Sequence, residues 1–97
     1  MVNLKIINNK QLSRFEAELS GEVAYMEYKL HHDNLIIIHT FAPVPIRGKG
    51  VSSSLAKFAL EYAVENKLKV TVYCPFVKDY LETHPEYKTQ LKIIIAK

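Results

Sequence analysis

The chain has 97 residues, enough for one hydrophobic core and one domain over residues 1–97 and too few for a second of ordinary size. Hydrophobic residues make up 48% and charged residues 24%, which excludes a disordered or fibrous class. Thirteen basic against ten acidic residues give a net charge of +3, which suits an anionic ligand, but the basic residues form no consecutive run, so a nucleic-acid partner is not expected.

The longest apolar runs, Leu35 to Ile38 and Ile93 to Ala96, are far shorter than the roughly 20 residues that cross a bilayer, so no membrane partner is expected. The opening Met1-Val2-Asn3-Leu4-Lys5 lacks the features of a secretory signal, and a cytoplasmic setting is the expectation. A single cysteine, Cys74, rules out an internal disulfide and any cysteine-cluster metal site.

Residues 2 to 8 are apolar and β-branched enough for a strand. From Arg14 to Leu19 apolar and charged residues alternate, predicting a half-buried strand, and Ser20-Gly21 marks a turn. Glu22 to Leu30 then returns as the second arm of a hairpin, with Ala24, Met26, Tyr28 and Leu30 on one face. After the polar turn from His31 to Asn34, the nearly continuous apolar run Leu35 to Phe41 predicts a central strand covered on both faces.

Pro43 and Pro45 end that strand, because each removes a ladder donor. Val51, Leu55, Phe58, Ala59 and Tyr62 recur at helical spacing, with Lys57, Glu61 and Glu65 opposite and Asn66 as a left-handed cap. Leu68, Val70, Val72 and Cys74 share one face of the next strand, which completes a βαβ unit with parallel strands. Pro75 opens a second helix that Pro85 ends. Leu91 to Ile95 fits either a last strand or a tail.

The segment from Ile46 through Arg47, Gly48, Lys49, Gly50, Val51 and Ser52 joins the central strand to the long helix. Its glycines permit a tight turn with inward amides, and the helix start adds unpaired N–H groups and a partial positive charge. With Arg47 and Lys49 beside them, these groups form a cradle of a size and sign for a diphosphate. The plain alternative is a loop that only reverses the chain. Neither a Walker A loop nor a dinucleotide fingerprint is matched.

Cys74 ends the second parallel strand at the start of a helix, where parallel sheets place ligand crevices and where thiols are activated. His39 lies near the same end of the neighbouring strand, so the expectation is a Cys–His pair facing one another across the sheet, unless both are ordinary core residues. Tyr80, on the helix after Cys74, is a candidate proton donor. His31 and His32 are read as solvated turn residues, since adjacent side chains on an extended chain diverge and two further metal ligands are not offered locally.

An antiparallel meander, the Arg47-Gly48-Lys49-Gly50-Val51-Ser52 loop at a helix start, Ile38-His39-Thr40 and a cysteine ending the next strand together resemble the GNAT superfamily of acetyl-CoA-dependent N-acetyltransferases. The likeness is to its short single-domain branch with a cysteine near the acyl site. The loop resembles that superfamily's [Gln/Arg]-x-x-Gly-x-[Gly/Ala] motif, with Ser52 departing at the last small position.

The resemblance implies an α/β (α+β) fold with a mixed sheet and parallel strands that splay apart. It implies that amides from Ile46 to Ser52 bind the diphosphate of acetyl-CoA, that backbone of Ile38, Thr40 and Phe41 pairs with the pantetheine arm, and that Cys74, His39 and Tyr80 lie near the thioester. The stretch between the first two strands is too short for the helix pair that covers the acceptor in larger relatives. An open acceptor side follows, suited to a protein or peptide amine. The competing class is a non-catalytic module binding CoA, nucleic acid or protein.

Overall fold

The computed structural model describes residues 4–96. One six-stranded sheet runs in the order β1 (Lys5–Asn9), β2 (Arg14–Leu19), β3 (Glu22–His31), β4 (Asn34–Phe41), β5 (Lys69–Val72) and β6 (Ile93–Ile95). The first four strands form an antiparallel meander, and β4, β5 and β6 are parallel to one another. Helices α1 (Val51–Glu65), α2 (Pro75–Thr83) and α3 (Glu86–Gln90) fill the connections β4 to β5 and β5 to β6.

The meander follows the alternation in the sequence. Ser20 and Gly21 both take positive φ, 54° and 78°, the primed turn whose twist suits a two-residue hairpin. Phe15, Ala17, Ala24 and Met26 face the helices with no exposed surface. The ring of Phe15 is the hub: it stacks on Tyr28 at 4.5 Å and meets Phe58 and Tyr62 of α1 edge-on, both at 5.4 Å. From α1, Val51, Leu55, Ala56, Ala59, Leu60 and Ala63 complete this core, and Val77 and Leu81 of α2 extend it over Val70 and Val72.

Several expectations are corrected. The run Leu35 to Phe41 is covered on one face only: Leu35 and Ile37 are fully buried, whereas Ile38 and Phe41 are exposed on the other face with Tyr73 and Ile94. A single apolar core joins all three helices to the same face of the sheet, so among the described residues no layer covers the opposite face. The helix α1 ends through Asn66, but Asn66 has φ −98°, and the left-handed residue is Lys67 at φ 56°. Asn66 instead caps with its side chain, which donates to the Tyr62 carbonyl at 2.8 Å.

Within residues 91 to 95, Ile93–Ile95 form the strand β6, seated beside β5 through Val70↔Ile93. Pro85 is followed by the short α3, which sequence reading did not anticipate. The first strand is β1 from Lys5; positions 2 and 3 of the expected strand lie outside the described residues.

Candidate active site

The site is built around the one irregularity of β4. Along β3 and β4 the pairs run Tyr28↔Ile37 and then Glu27↔His39, so Ile38 is an extra residue, a β-bulge. Without it, strict alternation would put Leu35, Ile37 and His39 on the helix side. With it, Thr40 takes that side opposite Met26, while His39 falls on the bare face opposite Glu27. The expected approach of His39 to Cys74 is therefore not formed. His39 is exposed, and its ring stands 6.4 Å from that of Tyr25, which is itself 5.4 Å from Phe41.

Thr40 occupies the place beside the thiol: its Oγ1 lies 3.2 Å from Cys74 Sγ. Cys74 is 3% exposed and sits at the N-cap of α2 without capping it through its side chain. Beyond the pair Ile37↔Val72, the backbone link between the two parallel strands ends with the Tyr73 N–H donating to the Ile37 carbonyl at 2.9 Å. Past that bond β4 continues to Phe41 against β3 alone, and the other chain turns into α2 at Pro75. The two strands part here, with Thr40 and Cys74 on either side of the opening.

The glycine loop lies at the same end of the sheet. A 3-10 turn over Val44–Ile46 buries Ile46, and the Arg47 Nε donates to the Ala42 carbonyl at 2.8 Å, which ties the loop's two ends. Gly48 and Gly50 have φ of 77° and 78°, the left-handed region that L side chains rarely enter. Gly50 is the N-cap of α1, and the first bond of the helix runs from the Ser54 N–H to the Gly50 carbonyl at 3.0 Å. The N–H groups of Val51, Ser52 and Ser53 thus have no carbonyl four residues back within the helix. No acidic residue occupies the first turn.

These amides border a cavity of about 270 Å³ whose wall includes Arg47, Gly48, Gly50, Val51, Ser52 and Phe76. The expected cradle residues are thereby brought together, apart from Lys49, which is exposed and outside the wall. Phe76 and Ala42 of this wall were missed. Phe76 stands on the exposed face of the first turn of α2, and that face meets the loop. Helix-end polarity and Arg47 make this an electropositive cavity, and it lies at the same end of the sheet as Cys74, which is not part of its wall.

Tyr80 does not line this cavity. Its ring stacks on His84 at 3.9 Å and lies 6.5 Å from Tyr87, between α2 and α3. Burial, with Glu86 and Glu61 nearby, pushes its hydroxyl above the ordinary tyrosine range. At the far end of β3, His31 and His32 do not diverge: their rings meet edge-on at 4.4 Å because His32 leaves the extended conformation at φ 56°. Among the described residues no helix is long and apolar enough to span a membrane.

Comparison with known proteins agrees with this architecture. The chain is 28% identical to protein NATD1 of Mus musculus over 85 residues, covering 84% of this chain and 77% of that protein. It is 28% identical to protein NATD1 of Danio rerio over 90 residues, covering 87% and 81%. The solution structure of a GCN5-like protein from Staphylococcus aureus superposes with a TM-score of 0.70 at 27% identity, covering 100% of this chain and 94% of that one. The six-stranded mixed sheet is the GNAT fold. Residues 14–91 match the family model for GCN5-related N-acetyltransferases, from the first residue of β2 to the residue that caps the end of α3, and the chain belongs to that family.

Proposed function

We propose that this protein transfers an acetyl group from acetyl-CoA to an amine, acting in the cytoplasm on a protein or peptide acceptor. The observation that carries the reading is the alignment, at one end of the sheet, of the amide-lined cavity at the start of α1 with the opening between β4 and Cys74. The amides of Val51, Ser52 and Ser53, with Arg47, hold the diphosphate. The freed backbone of Ile38, Thr40 and Phe41 pairs with the pantetheine amides, and the thioester reaches Cys74.

The bulge separates the two candidate groups and favours direct attack over an acetylated cysteine. His39, on the helix-free face, takes a proton from the acceptor ammonium, directly or through water. The amine nitrogen bonds to the carbonyl carbon and gives up its second proton to solvent as the carbon–sulfur bond breaks. On the helix side Cys74 gives its proton to the departing CoA sulfur and is reprotonated from solvent. Tyr80 has no part in this scheme, because its ring is engaged between α2 and α3.

Thermal unfolding with acetyl-CoA, ADP and a nucleic-acid oligomer is the first test. Ligand at 100 times its Kd stabilises by about 2.7 kcal/mol, a rise on the order of 10 °C for a domain this small. A rise with acetyl-CoA, followed by acetylation of a lysine peptide, supports the reading. No rise at millimolar acetyl-CoA, or a rise with the oligomer alone, overturns it.

A further inference from the structure

The side-chain hydroxyl of Thr40 has no role in the transfer scheme, yet it is the group that meets the thiol. Cys74 Sγ faces a hydroxyl rather than an imidazole, and that hydroxyl is presented only because the bulge at Ile38 turns Thr40 inward. At 3.2 Å the two atoms are within hydrogen-bonding reach, and no buried side-chain nitrogen or oxygen among the described residues lacks a partner. The contact spans the opening between β4 and α2, beyond the last backbone bond of the parallel pair.

A threonine hydroxyl does not take a proton from a thiol at neutral pH, but it both accepts from a thiol and donates to a thiolate. Thr40 therefore suits each state of Cys74. While the proton is on sulfur, the S–H can point to Oγ1; once it has moved to the departing CoA sulfur, the hydroxyl turns and donates to the sulfur left behind. The threonine rotamer is confined by its branched Cβ and by strand pairing with Met26, so the hydroxyl is held in place before the reaction begins.

We propose that Thr40 is the positioning residue for Cys74: its side-chain hydroxyl fixes Sγ at the mouth of the splay and stabilises the thiolate. The inference rests on the transfer reading for its role in turnover, but the effect on the thiol stands apart from any acceptor. Thr40→Val removes the hydroxyl and keeps the shape; Thr40→Ser keeps the hydroxyl.

Alkylation of Cys74 by iodoacetamide in the full chain, followed by intact mass at one fixed pH, reads the thiolate directly. Losing a hydrogen bond to a charged group slows alkylation about tenfold in Thr40→Val, and Thr40→Ser restores most of the rate. In the acetyl-transfer assay Thr40→Val lowers kcat by a similar factor and leaves KM for acetyl-CoA within about twofold. Equal alkylation rates for wild type and Thr40→Val overturn the inference, as does faster alkylation, which marks simple loosening of the site. Slowed alkylation in a protein that acetylates no amine keeps the Thr40–Cys74 inference and overturns the transfer reading instead.

Discussion

The two halves of β4 are four residues each and do opposite work. From Asn34 to Ile37 the strand is hydrogen-bonded on both sides, to β3 and to β5, and it buries Leu35 and Ile37 completely. From Ile38 to Phe41 it is paired with β3 alone, is mostly exposed, and carries Thr40 toward Cys74 and His39 to the other face. Stability is concentrated where every backbone group has a partner, and the candidate chemistry lies where a parallel partner departs and leaves backbone groups open to a ligand. The bulge at the junction lets one short strand serve both ends.

Breaking the paired half has the largest expected effect. Ile37→Ala opens a cavity in a fully buried site and costs about 3 kcal/mol, measured by urea denaturation, whereas Ile38→Ala, one residue on, changes stability by about 0.5 kcal/mol or less. Equal losses at the two positions would erase the contrast. Across from the open half, Cys74→Ala lowers acetyl transfer by about a hundredfold or more while acetyl-CoA still raises the unfolding midpoint as in wild type. Wild-type turnover by that variant removes the thiol from the reaction.

The loop offers a smaller test. Gly50→Ala forces a side chain into the left-handed region although no atom lies within 4 Å of the added Cβ, so it costs about 1 kcal/mol by backbone strain alone. The same change weakens acetyl-CoA binding by moving the first amides of α1, which isothermal titration detects.

The smallest effect lies away from both halves of β4. Burial and the Tyr87 hydroxyl's hydrogen bond to Glu61, 3.1 Å, push Tyr87 up to about 12. Because the protonated form is favoured in the folded chain, the associated stability is full below about pH 10, the ordinary tyrosine value, and is lost as pH rises toward 12. Tyr87→Phe flattens that decline in urea titrations at high pH and costs about 1 kcal/mol at neutral pH.

The strands β2 to β5, the hairpin turn at Ser20-Gly21, the helix α1 and the glycine loop were legible because each rests on local information: a period of 2 or 3.6, a residue tolerant of positive φ, or a proline that removes a donor. The family likeness was legible from the combination of the meander, the contiguous glycine loop, Ile38-His39-Thr40 and the cysteine ending the next strand, each a local signal. Three things were not local. Which face of β4 is covered depends on where two crossovers lay their helices, and a continuous apolar run looks the same whether one face or both are buried. The short strand β6 exists because β5 offers it an edge, for three isoleucines alone do not distinguish strand from tail.

The third is the partner of Cys74. Period-2 alternation by itself puts His39 inward, and no residue type near Ile38 announces an inserted position; only the pairing of β3 with β4 reveals it. Sequence alone thus determined the strands β2 to β5, the helices α1 and α2, the glycine loop between β4 and α1 and the thiol at the strand end, because these follow from backbone preferences of neighbouring residues. The tertiary structure decided which side chain reaches that thiol, because one extra residue in a paired strand reverses the faces of all that follow, and that reversal is a property of two strands together.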